Sequence, residues 1–129
     1  MTRTIHRYGH VEWHTPMSPG ADPGQAADAA ARGAGRKLLA QGEEGFYAQV
    51  VKIPPGFEAP VHSHDHAEVF MVLEGACHFD GQPMDRFDLT VVAAHEPYGF
   101  KAGPDGLHFL VVRTGQASFA AAQSAGTPA

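Results

Sequence analysis

The chain has 129 residues, 43% of them hydrophobic, with one cysteine and a net charge of −5. That length fits one domain whose core needs no disulfide, and the lone Cys77 excludes a disulfide framework within the chain. Nine Lys and Arg are scattered without a basic stripe, no apolar run approaches the ~20 residues of a membrane helix, and no apolar leader opens the chain, so nucleic acid and membrane are not expected as partners and a cytoplasmic protein is.

Residues 1–44 read as an N-terminal extension that packs on the rest. His6, His10 and His14 recur every four residues around Trp13, but helix formers are few there, and these histidines are expected at the surface. Pro16, Pro19, Gly20, Pro23 and Gly24 mark a loop. Residues 25–39 have the composition of a short helix, interrupted by Gly33 and Gly35.

Residues 45–114 read as strands. Residues 46–53 are rich in β-branched and aromatic side chains and stop at Pro54-Pro55-Gly56. Residues 68–74 form a second strand, closed by Gly75. Asp80-Gly81 between two short runs is a hairpin signal. Strands at 89–94, 97–102 and 107–112 follow, with Gly103-Pro104-Asp105-Gly106 as the last turn. Residues 115–129 read as a loose tail. Short strands at this spacing predict an all-β sandwich or barrel.

Strand 68–74 is apolar on both faces. If Glu68 points inward, Phe70 and Val72 do too, and Val69, Met71 and Leu73 face outward. A strand apolar on both sides is covered on both sides, by a second sheet, the N-terminal segment or another subunit. A homodimer is expected on this ground.

The most informative stretch runs from Gly56 to Gly75, with His62, His64 and Glu68 between them. Its skeleton is G-x5-H-x-H-x3-E-x6-G. Two histidines two apart on a strand share a face. A tight turn through Asp65-His66 brings Glu68 beside them. Two neutral imidazoles and a carboxylate make half a coordination sphere, with open positions for substrate, water or dioxygen. The same three residues also suit a metal-free site in which they bind one another and water.

This skeleton resembles the first motif of the cupin superfamily at all five defining positions. The resemblance covers about residues 45–114. It implies a cupin double-stranded β-helix, a jelly-roll-like antiparallel barrel, with an irregular or partly helical N-terminal segment. It also implies metal ligands at His62, His64 and Glu68. The superfamily spans dioxygenases, isomerases, decarboxylases, lyases, sensors and storage proteins, so the resemblance names a fold and a site rather than a reaction. The second cupin motif is degenerate here. Its best register, residues 87–102, keeps the spacing but puts Tyr98 where the family has its fourth ligand, a histidine.

Tyr98 is therefore the candidate catalytic residue, with three open roles: a phenolate ligand, a donor to a metal-bound water, or an acid/base. We expect it to point at the metal across water or substrate. His95 and His108 are the alternative fourth ligands. Tyr47, Gln49, Phe70, Val72, His95, Phe100 and His108 are the expected pocket residues, with Phe70, Val72 and Phe100 as barrel filling or apolar wall. The expected cofactor is one divalent transition metal: Fe, Zn, Ni or Mn. The expected function is an enzyme acting on a small organic substrate, dioxygenase-like or a metal-assisted isomerase or lyase. The alternative is a non-catalytic cupin that binds or senses a small molecule.

Overall fold

In the computed structural model, which describes residues 3–15, 23–116 and 120–121, eight antiparallel strands wrap into one β-barrel. They are β1 (Gly35–Gln41), β2 (Tyr47–Ile53), β3 (Glu58–Ser63), β4 (Glu68–Phe79), β5 (Gln82–Met84), β6 (Leu89–Val92), β7 (Tyr98–Arg113) and β8 (Ala120–Ala121). A helix, α1 (Pro23–Ala31), precedes them.

The long strand β7 organises the barrel. Its first half lies between β3 and the end of β4, so Phe100 is flanked by Ala59 and Phe79. Its second half lies between β2 and the start of β4, so Phe109 is flanked by Val51 and Val72. Alternation then sets the inward side. Glu68, Phe70 and Val72 of β4 are buried, while Val69, Met71 and Leu73 are half-buried. On β7 the inward set is Tyr98, Phe100, Ala102, Leu107, Phe109 and Val111. Phe70 is the centre of the core. Its ring lies 4.5 Å from Phe109, 5.0 Å from Phe79 and 5.3 Å from Phe100, the spacing at which aromatic rings pack favourably.

The strands expected at residues 46–53 and 68–74 are present, the latter longer than expected. So is the Asp80-Gly81 hairpin. Both residues have positive φ (47° and 80°), as a primed two-residue turn requires.

Two elements differ from the sequence reading. Residues 35–41 are a strand, not the end of a helix. Helix α1 stops before Gly33, whose φ of +103° no helix accommodates, and the chain then pairs along β2 from Gly35↔Lys52 to Gln41↔Tyr47. Pairing along an open strand edge overrides the helical preference of Arg-Lys-Leu-Leu-Ala. The sheet thus extends outside residues 45–114 at both ends, through β1 and β8. The second difference concerns Gly103–Gly106, which does not end a strand. Cys77 pairs with Ala102 and Gly75 with Leu107, so the four residues form an excursion opposite Ala76 inside β7. Gly75 is needed there, because a Cβ would run into the carbonyl oxygen of Gly106.

The N-terminal segment covers the outer face of β1, β2 and β7. The Trp13 ring stands 4.9 Å from Lys37 Nζ and 4.3 Å from Lys52 Nζ, with its edge toward His108. His14 exchanges two backbone hydrogen bonds with Arg36, at 2.8 and 2.9 Å. No helix among the described residues is long and apolar enough to cross a membrane.

Candidate active site

Strand β3 carries His62, and His64 follows in the turn that leads to β4. Both are buried, with ring centroids 4.9 Å apart and planes nearly perpendicular. His62 Nδ1 lies 2.7 Å from the carbonyl oxygen of Pro60. A carbonyl only accepts, so Nδ1 carries the hydrogen. Burial is the main effect that lowers the proton affinity of this ring. His62 is therefore neutral near pH 7, with its lone pair on Nε2.

Glu68 opens β4 directly opposite Arg113, the last residue of β7. It is 2% exposed. A carboxylate this buried needs partners, and it has two. Arg113 donates from Nε to Oε2 at 2.8 Å, and the Tyr98 hydroxyl donates a short hydrogen bond to Oε1. Tyr98 opens β7 in register with His62, and their ring centroids are 4.5 Å apart. Burial first, and then the charge of Glu68, push the Tyr98 phenol far above its ordinary range, so it stays protonated. Arg113 Nη2 also reaches to 3.5 Å from His64 Nε2.

These side chains surround a cavity of about 120 Å³. Its polar wall is Arg36, Gln49, His62, His64, Tyr98 and Arg113. Its apolar wall is Val51, Phe100, Phe109 and Val111.

Of the residues expected at the site, His62, His64, Tyr98, Gln49 and Phe100 border this cavity. The others do not. Glu68 sits behind Tyr98 and Arg113 rather than on the wall. Phe70 and Val72 are fully enclosed core. His108 has the opposite parity to Phe109 and points outward, 3.5 Å from Glu74 and against Trp13. His95 is exposed in a turn with φ of 65°, where its backbone N–H donates to His64 O at 2.7 Å. It positions the loop rather than facing the cavity. Tyr47 lies beyond the cavity, where its ring packs beside Gly42.

Arg36 and Arg113 were not anticipated. Arg113 was within reach of the alternation rule: Leu107, Phe109 and Val111 face inward, and two residues further comes Arg113. Arg36 was not, because β1 itself was not expected.

A divalent metal, which the first motif implies, fits this arrangement at two positions and not at the third. His62 and His64 are buried imidazoles on one wall. Glu68 has both oxygens engaged, and the guanidinium bound to it would repel a second cation. Among the described residues, no three His, Cys, Asp or Glu side chains are placed to share one ion.

No protein-family model matches the sequence, and no curated protein matches it. Solved structures do. The chain is similar to the polyketide cyclase RemF from Streptomyces resistomycificus at 21% identity, over 99% of this chain and 90% of that one, with a TM-score of 0.70. It is similar to an RmlC-like cupin from Shewanella frigidimarina at 21% identity, over 98% and 97%, with a TM-score of 0.64. It is also similar to the DMSP lyase DddQ from Ruegeria pomeroyi at 20% identity, over 81% of this chain and 56% of that one, with a TM-score of 0.63. These likenesses show that the chain has the fold of the cupin proteins among them.

Proposed function

We propose that this cupin is an enzyme that moves a proton on a small organic substrate, as an isomerase or a lyase does. One observation carries the reading: buried His62, its Nδ1 held by the Pro60 carbonyl so that the lone pair falls on Nε2, lines the same cavity as the buried phenol of Tyr98. Base and hydrogen-bond donor are thus held 4.5 Å apart, ring centre to ring centre. In this reading His62 Nε2 takes a proton from the carbon next to a substrate carbonyl. The C–H electron pair moves into the carbon–carbon bond, and the carbonyl oxygen takes the negative charge. The Tyr98 O–H turns from Glu68 to that oxygen, while Arg113 stays on Glu68. The charge of Glu68 favours the imidazolium formed at His62. Returning the proton to another carbon completes an isomerisation, and expelling a group from the β carbon completes an elimination. Among the structural neighbours, one is named a cyclase and one a lyase, which supports an enzymatic reading.

The test is hydrogen–deuterium exchange in D2O, followed by NMR, on a panel of small 2-oxo acids and diketones. Protein-dependent exchange is expected, slowed about 10²-fold in His62→Gln. Binding without exchange would assign the non-catalytic, small-molecule-binding role instead.

A second reading has its own support. The Pro60 carbonyl fixes the His62 tautomer by binding Nδ1, the kind of outer contact that orients a metal-ligating imidazole. In that reading His62 and His64 would hold a divalent transition metal (Fe, Zn, Ni or Mn), Glu68 would be the third side chain to hold it, and the metal would supply Lewis acidity or dioxygen chemistry. Metal-dependent oxygen uptake with the same panel would favour it.

A homodimer and a cytosolic setting belong to the proposal. Strand β6 pairs only with β4 among the described strands, and Leu89 and Val91 on it are exposed. An open apolar edge of this kind invites a second copy. Light scattering is expected to give twice the chain mass, and a monomer at high concentration would count against the dimer. The buried free thiol of Cys77 suits a reducing compartment.

A further inference from the structure

The charges around the cavity do not cancel. Two guanidinium groups stand on its wall, Arg36 from β1 and Arg113 from β7. Among the described residues, the carboxylate hydrogen-bonded to this wall is Glu68, and it is fully engaged: Tyr98 donates to Oε1 and Arg113 to Oε2, while Asp80, whose charge also reaches Tyr98, does not border the cavity. Arg113 is thereby balanced. Arg36 is not. Its Nε is buried and hydrogen-bonds to no described residue.

The backbone of Arg36 leaves the side chain little choice of direction. On one edge it pairs with Val51 of β2, itself a cavity residue, and on the other its N–H and C=O are taken by His14. Alternation sends the next residue, Lys37, the opposite way, under Tyr8, whose carbonyl oxygen accepts from Lys37 Nζ at 2.8 Å. Arg36 is thus held at the cavity by the same pairing that makes β1 a strand. Burial, and then the positive charge of Arg113, lower the proton affinity of Arg36, which means that the two cations sense each other across the site. A buried donor without an acceptor is unfavourable, and more so when charged. An anion that supplies the acceptor removes both penalties. The protein as a whole carries −5, so this positive site is local and is not part of a general basic surface.

We propose that the cavity takes a small organic carboxylate, with its carboxylate group on the guanidinium of Arg36 and its carbon end between His62 and Tyr98. The inference rests on the reading of this cavity as a small-molecule site. The groups at the wall favour a monoanion: among the described residues, two guanidinium groups stand there and one carboxylate is hydrogen-bonded to Arg113, which leaves Arg36 to take a single negative charge. A planar guanidinium pairs well with a planar carboxylate. The Gln49 amide offers a further donor on the same wall. Val51, Phe100, Phe109 and Val111 suit a short carbon chain and offer no partner to a second charge. The cavity is small, about 120 Å³, so short-chain acids are the probes that fit it. Within the proposed proton transfer, Arg36 is a substrate-binding residue. It anchors one end so that the carbon beside a carbonyl meets His62 Nε2.

The experiment is an amide-resolved NMR titration of the full chain with propionate, pyruvate and the neutral analogue propionamide, each to tens of millimolar. Both acids are expected to shift the resonances of Arg36, Val51 and Val111, and to bind about tenfold or more tightly than propionamide. Arg36→Gln is expected to lose that preference, with the acids falling to the affinity of the amide, and Arg36→Lys to recover part of it. Equal binding of acid and amide to the wild-type protein would overturn the carboxylate assignment and leave the small-molecule site standing. Acid binding that is unchanged in a folded Arg36→Gln would overturn it too. If neither acid nor amide moves any cavity resonance, the assignment and the underlying reading both fail. The comparison of acid with amide needs only the unaltered protein, so it decides the matter even if a variant folds poorly.

Discussion

Replacing Arg113 with Met is expected to destabilise the barrel by about 3–5 kcal/mol and at the same time to raise its affinity for divalent metal. The first effect follows from burial. Glu68 is 2% exposed, and Arg113 supplies its only described counter-charge, at 2.8 Å. Removing one partner of a buried ion pair leaves the other charge without compensation, which costs about that much. Tyr98 continues to donate to Oε1, but a neutral donor offsets only part of a full charge. The second effect follows from the same geometry. With the guanidinium gone, Glu68 Oε2 is released beside two buried imidazoles, and the nearest fixed positive charge is removed. A divalent ion would then serve as counter-charge, with His62 and His64 holding it and Glu68 joining them once it turns away from its present partners.

Urea denaturation with and without zinc measures both effects. The variant should show a lowered midpoint with an unchanged slope, and zinc should restore much of the loss, since a ligand that binds only the folded state stabilises it. Adding His62→Ala to the variant should abolish the rescue. A double-mutant cycle with Glu68→Gln isolates the pair itself, and coupling of about 2 kcal/mol or more is expected. An Arg113→Met protein as stable as the wild type, with no zinc response, would show that the carboxylate has another counter-charge and that the metal reading has no basis in these residues.

How far the sequence predicted this site depended on which strands could be found. The His62, His64 and Glu68 positions rest on a spacing and a motif, and both survive any small shift of register. Tyr98 rests on a weaker match, yet β7 begins at Tyr98 in register with His62, so the ring enters the cavity. His108 was misplaced because Gly103–Gly106 reads as a turn. A turn resets the parity of the strand that follows, and the sequence does not say by how much. Once the four residues are seen as an excursion within β7, Phe109 is inward and His108 is outward. Arg36 was invisible for a different reason. The pairing that makes residues 35–41 a strand is with β2, and no local pattern in Gly-Arg-Lys-Leu-Leu-Ala-Gln announces it. The site's charge balance therefore depended on the element that propensity read least well, and a motif written around metal ligands carries no information about a guanidinium paired with Glu68.

Tyr98→Phe is expected to lower turnover by about 10²-fold while leaving carboxylate binding within about twofold. The hydroxyl has one hydrogen to give. At rest it goes to Glu68, and in the proposed reaction it goes to the substrate oxygen as negative charge develops there. The phenol is too weakly acidic in this setting to surrender its proton, because burial and the adjacent carboxylate both oppose the phenolate. It therefore acts as a donor aimed at a forming oxyanion, and removing one such donor typically costs 10²–10³-fold in rate. The same substitution strips Glu68 Oε1 of its partner, so about 1–3 kcal/mol of stability should go with it. These consequences separate under measurement. A purely structural role would lower the melting temperature and the fraction folded, but would leave turnover per folded molecule unchanged. A catalytic role lowers turnover per folded molecule with KM nearly constant, because the interaction belongs to the transition state. If proton exchange by folded Tyr98→Phe stays within threefold of the wild type, Tyr98 is only the partner of Glu68, and the developing charge must be met by Arg113 instead.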